Sequence, residues 1–256
     1  MNDTDARLAG AHRWLAERYP GRTLTLAPAS ADASFRRYFR VTGAATGTLI
    51  VMDAPPDKED CAPFVRIAAL LGAAGVNVPT VLAEDRARGY LLLADLGSTT
   101  YLAALEAASP AARDALADRL YRDAIGALVK IQQAAGPGVL PDYDRALLER
   151  ELRLFPEWFV ARQLGRTLTA AQTGAIEEAF AAILANNLAQ PRVVVHRDYH
   201  SRNLMLDPPS GGNPGVLDFQ DAVYGPITYD AVSLLRDAYV SWPEDRVIDW
   251  LLRYWQ

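Results

Sequence analysis

Three oxygen-bearing side chains, Asp198, Asn203 and Asp218, have the types and spacing to hold a hard divalent cation beside an acid–base group. Asp198 and Asn203 share the segment His196-Arg197-Asp198-Tyr199-His200-Ser201-Arg202-Asn203, which follows the β-branched run Val193-Val194-Val195. Asp218 comes fifteen positions after Asn203, in Val216-Leu217-Asp218-Phe219. Between them Pro208, Pro209, Gly211, Gly212, Pro214 and Gly215 make a composition that reverses the chain. If 204–206 and 216–217 pair as an antiparallel hairpin, the start of the first strand lies beside the end of the second. Asn203 and Asp218 then become neighbours, with Asp198 one loop earlier facing the same space. Magnesium takes oxygen ligands and keeps water and phosphate oxygens in its shell, so one carboxylate and one amide suffice. A second carboxylate can orient an attacking hydroxyl and accept its proton. This reading makes Asp198 the catalytic carboxylate, and Asn203 with Asp218 the Mg2+ ligands, in phosphoryl transfer from ATP.

The elements that must position this set divide into two groups. Apolar residues at helical spacing predict a helix over 6–18, which Pro20-Gly21 ends. Strands are expected at 23–26, 35–41 and 48–52, a short helix at 64–74, and two more strands at 76–82 and 90–93. From residue 99 the pattern turns helical, with helices expected over 99–107, 110–135, 144–161 and 170–188; Pro156 should kink the third or begin a new helix. The order predicts an α+β, bilobal architecture: a small antiparallel β lobe (1–95) and a larger, mainly helical lobe (96–256). The junction falls at Asp95-Leu96-Gly97, and two lobes joined there leave a cleft, a preferred place for a ligand.

Composition narrows the partners. Half of the 256 residues are apolar and 22% are charged, as in globular proteins. A formal net charge of −5 argues against nucleic acid, whose phosphates select basic surfaces. No apolar run approaches the roughly 20 residues that span a bilayer. The polar start MNDTDARLAG does not read as a secretory signal, and a cytoplasmic location is expected. Cys61, the single cysteine, excludes an internal disulfide and a multi-cysteine metal site.

The motifs resemble a known family. His196-Arg197-Asp198 with Asn203 is similar to the kinase catalytic loop H-R-D-x-x-x-x-N, and Leu217-Asp218-Phe219 to the metal-binding D-F-G segment. Gln220 stands in place of the glycine, as is common in the aminoglycoside phosphotransferase-like branch. Thr228-Tyr229-Asp230-Ala231-Val232 also resembles that branch, which implies that Asp230 braces the catalytic loop; His196 is read separately as a brace of that loop rather than as a chemical group. Further stretches resemble the anomeric kinases of N-acetylmuramate and N-acetylglucosamine, which serve cell-wall recycling. They are Ala33-Ser34-Phe35-Arg36-Arg37-Tyr38-Phe39-Arg40, Val51-Met52-Asp53-Ala54-Pro55-Pro56, Gly89-Tyr90-Leu91-Leu92-Leu93-Ala94-Asp95-Leu96-Gly97 and Asp218-Phe219-Gln220-Asp221-Ala222-Val223-Tyr224-Gly225-Pro226. The resemblance implies a protein-kinase-like fold and phosphorylation of the sugar hydroxyl at carbon 1. It also implies further helices in relatives beyond the equivalent of Gln256, so part of the substrate wall is expected to be missing.

One departure stands out. The third strand, Leu49-Ile50-Val51-Met52-Asp53, lacks the lysine that kinases pair with a glutamate on the next helix, and 64–74 carries Arg66 but no acid. Arg36, Arg37 or Lys58 is expected to supply the charge. The small, polar Ser30-Ala31-Asp32-Ala33-Ser34 is expected to approach phosphate through its backbone, with Ser34 as a contact. Asp95 and Leu96 are expected to offer backbone groups to adenine. Asp221, His200 and Tyr224 are assigned to the substrate side, although a turn cap, a solvent-facing histidine and a core aromatic are the plainer readings. Trp242 has the same two readings. Arg150 and Arg153, three apart on one helix, read first as a solvated face and second as a counter-ion for a substrate carboxylate.

Three rival functions follow from the same residues. An aminoglycoside or other small-alcohol phosphotransferase would use an acidic pocket, for which Glu244, Asp245 and Asp249 are available. A metal-dependent hydrolase would be built on His196-x-Asp198-x-His200. A non-catalytic ATP-binding module would keep the nucleotide site alone.

Overall fold

The structure of the chain, a computed structural model, describes residues 3–31, 35–44 and 47–256. Helix α1 (Asp3–Arg18) precedes strands β1 (Thr25–Ala31), β2 (Arg37–Thr42) and β3 (Leu49–Asp53), helix α2 (Ala62–Ala73), and strands β4 (Val81–Asp85) and β5 (Tyr90–Ala94). Among the described residues these strands form one antiparallel sheet in the order β1-β2-β3-β5-β4. Its two faces meet different helices. Val41, Leu49, Val51 and Leu92 close on Ala11, Trp14 and Leu15 of α1, while Met52, Leu91 and Leu93 close on Phe64, Ile67 and Leu71 of α2. That double burial explains why β3 and β5 are near-continuous apolar runs rather than alternating ones. Asp53 ends β3 fully buried and accepts hydrogen bonds from Arg7 Nε of α1 at 2.8 Å and Arg37 Nε of β2 at 3.0 Å. A carboxylate out of water needs such partners.

The first and fourth strands differ from expectation. β1 runs on through Ser30 and Ala31 by pairing with Tyr38 and Arg37, so these two residues belong to a strand rather than to a loop. Asp32, Ala33 and Ser34 lie outside the described residues. The expected strand at 76–82 starts only at Val81. Pro79 has no N–H to give the sheet, and Asn77 instead pairs with Gly215, its carbonyl accepting from Val216 N–H at 2.8 Å. Val76 and Val78 still enter the core.

The remaining chain is mostly helical. α3 (Tyr101–Ala107) is capped by Thr100, whose side chain accepts from Ala103 N–H at 3.1 Å, and α4 (Pro110–Gln132) opens with proline in its first turn. The buried side of α4, with Leu120, Tyr121, Ala124, Leu128 and Ile131, is the axis around which the other elements collect. α5 (Arg145–Leu154) passes at Pro156 into a π-helical segment, Phe155–Gln163; widening the turn accommodates a residue with no N–H and a bulky ring. α6 (Ala170–Ala189) starts from a reciprocal Thr169–Gln172 capping box. Strand β6 (Arg192–Val195) pairs with β9 (Val223–Pro226), and between them β7 (Leu204–Met205) pairs with β8 (Gly215–Val216). Helices α7 (Tyr229–Leu235) and α8 (Glu244–Trp255) follow. Trp250 of α8 stacks on Tyr121 at 4.2 Å, and Trp242 Nε1 donates to Tyr121 Oη at 2.8 Å. Trp242 is thus packed against the core and not presented to a ligand.

Candidate active site

The catalytic-loop segment leaves β6 at His196, which is fully buried. A carbonyl oxygen can only accept, so the 2.9 Å contact to Leu217 O places the imidazole proton on Nε2; Nδ1 is then free to accept Asp198 N–H at 3.3 Å. Burial disfavours the charged ring and lowers its pKa to about 4, keeping it neutral. Asp230, in the first turn of α7, accepts the backbone N–H groups of His196 at 2.7 Å and Arg197 at 3.0 Å. Burial raises the pKa of this carboxyl to about 7, and the two N–H bonds pull against that rise. Arg197 holds a left-handed φ of 80°, a costly conformation for a residue with a side chain. Its guanidinium is held by Glu151 of α5, which also accepts from Tyr143 and from Tyr229 at 3.0 Å. The loop is therefore fixed from both sides, by α7 on its backbone and by α5 on Arg197.

The hairpin brings the three chemical groups together. Leu204 pairs with Val216, and Leu217 N–H reaches Asn203 O at 2.9 Å while Leu217 O receives His196. Leu217 is thus tied to both ends of the catalytic loop, and Asp218 follows it with a φ of 64°. Asn203 Nδ2 donates to Asp198 O at 2.9 Å, which leaves Oδ1 as the atom available to a cation. Gln220 Nε2 donates to Asp218 Oδ1 at 2.8 Å and to Asp221 Oδ2 at 3.1 Å. Desolvation, and then the facing Asp218 carboxylate, hold the Asp198 pKa above the ordinary carboxylate value. An amide oxygen and a carboxylate oxygen beside a second carboxylate form a donor set that fits magnesium.

Asp198, Asn203 and Asp218 open onto one cleft of about 700 Å³ between the sheet and the helical part. Asp95, Leu96 and His200 line it too. Phe219 is fully buried behind Asp218 and lies 4.9 Å from Phe64 of α2, so the metal-type segment rests on a helix of the sheet side.

Other expected residues lie elsewhere. Ser34 falls outside the described residues. Arg36 sits by Glu59, at 3.7 Å, and does not line the cleft. Arg37 is committed to Asp53, and Lys58 lies over the Phe35 ring. Asp221 is exposed beside Gln220, outside the cleft wall. Tyr224 is also outside it: its place in β9 sets its backbone against Pro141, Tyr143 and Arg192. Arg153 pairs with Glu149 and Glu177 on the helical surface.

Residues not anticipated fill some of these places. Tyr38, Arg40 and Ile50 line the cleft. Arg40 Nε donates to Asp95 Oδ2 at 2.7 Å and its Nη2 to Gly97 O at 2.6 Å. Strand alternation, which puts 38 and 40 on the face opposite 37, 39 and 41, is the signal that selects Arg40 over Arg37. On β3 the same alternation pairs Ile50 with Met52, and Met52 is fully buried in the core that holds Phe64; an apolar contact occupies the face where a lysine clamp was sought. Arg202 and Tyr239 form another part of the cleft wall. Glu151 gave no sequence signal, because its partners are distant along the chain.

His196 cannot be a zinc ligand while both ring nitrogens are engaged, which removes the arrangement His196-x-Asp198-x-His200. Among the described residues no group of three or more His, Cys, Asp or Glu side chains is placed to hold a metal. No described helix is long and apolar enough to cross a membrane.

Comparison with known proteins agrees with this geometry. Residues 25–256 match the phosphotransferase enzyme family. The chain is 53% identical over 232 residues to the N-acetylmuramate/N-acetylglucosamine kinase of Pseudomonas putida, covering 91% of this chain and 65% of that one. It is 50% identical over 244 residues to the protein of the same name from Neisseria meningitidis serogroup B, covering 95% and 70%. It thus spans about two thirds of the length of these curated relatives. The fold is similar to the GDP complex of aminoglycoside 2'-phosphotransferase-IIIa, with a TM-score of 0.67 at 13% identity, covering 96% of this chain and 82% of that one. A choline/ethanolamine kinase family protein from Mesorhizobium loti gives 0.61 at 16%, covering 97% and 76%. The chain belongs to the phosphotransferase enzyme family.

Proposed function

We propose that this protein transfers the γ-phosphate of ATP to the carbon-1 hydroxyl of N-acetylmuramate or N-acetylglucosamine, giving the sugar 1-phosphate and ADP, in the cytoplasm and in the service of cell-wall recycling. The observation that carries the reading is the convergence of Asp198, Asn203 and Asp218 on one cleft, in a chain half-identical to kinases named for these sugars. Residues 1–95 would hold the nucleotide and 96–256 the sugar.

Each residue has a defined task. Asp198 orients the attacking hydroxyl and takes its proton as the new oxygen–phosphorus bond forms and the bond to the ADP oxygen breaks. Desolvation raises its pKa, which favours proton acceptance, whereas Mg2+ at Asp218 would pull it down again. Asn203 Oδ1 and the second oxygen of Asp218 would hold Mg2+, which when bound neutralises phosphate charge. The backbone of Asp95 and Leu96 would receive adenine, its position fixed by Arg40 through Asp95.

The aminoglycoside reading loses its acidic pocket. Glu244 pairs with Arg236 and Asp249 with Arg253, and neither residue nor Asp245 lines the cleft. The test is ATP consumption with N-acetylmuramate, N-acetylglucosamine and kanamycin, followed by phosphorus NMR. Turnover with a sugar and a phosphate coupled to the carbon-1 proton supports the proposal. Turnover with kanamycin alone, phosphate on another hydroxyl, or bound ATP never consumed would refute it.

A further inference from the structure

The catalytic loop carries a cation that the phosphate chemistry above does not use. Arg202, directly before Asn203, lines the cleft and is exposed there. Its Nη1 donates to Tyr239 Oη at 3.2 Å, and its guanidinium carbon lies 4.9 Å from the centre of that ring. Tyr239 lines the same wall, is 48% exposed, and meets His200 edge-on at 5.4 Å.

This corner is built rather than incidental. Buried Asp237 accepts Ser201 N–H through Oδ2 and Tyr239 N–H through Oδ1, each at 2.8 Å. One carboxylate thereby ties the residue before Arg202 to the ring that backs Arg202. The other cleft arginine, Arg40, is neutralised by Asp95. Among the described residues no carboxylate forms an ion pair with Arg202, so its charge remains available to a ligand. A planar guanidinium backed by an aromatic ring in a cleft wall suits a carboxylate.

The two sugars of the proposed reaction differ in this respect. N-acetylmuramate carries a lactyl ether ending in a carboxylate, and N-acetylglucosamine carries a neutral hydroxyl. We infer that Arg202, backed by Tyr239, is a specificity-determining residue that binds the lactyl carboxylate and favours N-acetylmuramate; this rests on the sugar-kinase reading above. Tyr239 comes from the connection between α7 and α8 in the helical part of the cleft wall, whereas the nucleotide groups are assigned to the sheet side, so the carboxylate is set on the acceptor side of Asp198. Arg150 and Arg153, considered from sequence for this task, lie outside the cleft wall.

The experiment compares kcat/KM for both sugars, and for the methyl ester of N-acetylmuramate, in the full chain and in its Arg202→Gln and Arg202→Lys variants. Loss of one charge-assisted bond predicts a fall of about 10- to 100-fold for N-acetylmuramate in Arg202→Gln, carried by KM. N-acetylglucosamine should stay within about threefold, Arg202→Lys should recover part of the loss, and the ester should behave alike in wild type and Arg202→Gln. Equal falls for both sugars would assign Arg202 to the transferred phosphate and overturn the inference, as would no fall for either. Wild-type turnover of N-acetylglucosamine with none of N-acetylmuramate would overturn it and leave the kinase reading standing. Turnover of neither sugar would remove both.

Discussion

Asn203 donates its side-chain N–H to the backbone carbonyl of Asp198 at 2.9 Å. The bond joins the proposed metal ligand to the proposed base and fixes which way the amide faces. Replacement by aspartate adds a charge of the kind magnesium favours, yet it sets a carboxylate oxygen against a carbonyl oxygen. Asn203→Asp should therefore lower kcat by at least about tenfold, because a lost bond of this kind leaves an unpaired acceptor. Steady-state rates across a magnesium titration check this; a variant restored to full rate by more magnesium would show that ligand charge alone matters.

The raised pKa of Asp198 gives a pH signature. Only the ionised carboxyl accepts a proton, so kcat/KM should fall as pH drops through that pKa. The midpoint should lie above the ordinary aspartate value of about 4 when magnesium is scarce. A cation at Asn203 and Asp218 opposes the Asp218 charge, so the acid limb should move to lower pH as magnesium rises. A limb that ignores magnesium would contradict this arrangement.

Asp230 links the loop to stability. In Asp230→Asn one backbone N–H of the His196–Arg197 pair faces an amide N–H, a loss of about 1–3 kcal/mol. Because the folded pKa is raised from 3.8 to about 7, the folded state binds more protons than the unfolded one in that window. Wild-type stability contributed by this group therefore declines as pH rises from about 4 toward about 7. The variant lacks that decline, so the gap between their melting temperatures should narrow from pH 4.5 to about 7.5. A constant or widening gap would show that Asp230 does not titrate there.

Much of this arrangement was legible in the sequence because it is local. The glycine- and proline-rich turn announced the hairpin, and spacing alone set Asn203 beside Asp218 and both near Asp198. Strands β3 and β5 were legible as apolar runs. What the sequence hid was long-range. The segment 76–79 has β-branched residues, but a proline and a partner in the other half of the chain take it out of the sheet. Glu151 meets Arg197 across 46 positions, and Arg40 meets Asp95 across 55. Arg36 and Tyr224 were chosen for type, whereas Glu59 and the β6–β9 ribbon determine where they lie.

The most direct measurement is single-turnover phosphoryl transfer by Asp198→Asn, with ATP binding recorded on the same protein. The variant keeps the shape and the hydrogen-bonding reach of the side chain but cannot take a proton. Transfer should slow by about 10²- to 10⁴-fold while ATP affinity stays within about threefold. Transfer at the wild-type rate would contradict the assignment of Asp198 as the base and, with it, the proposed chemistry of the cleft.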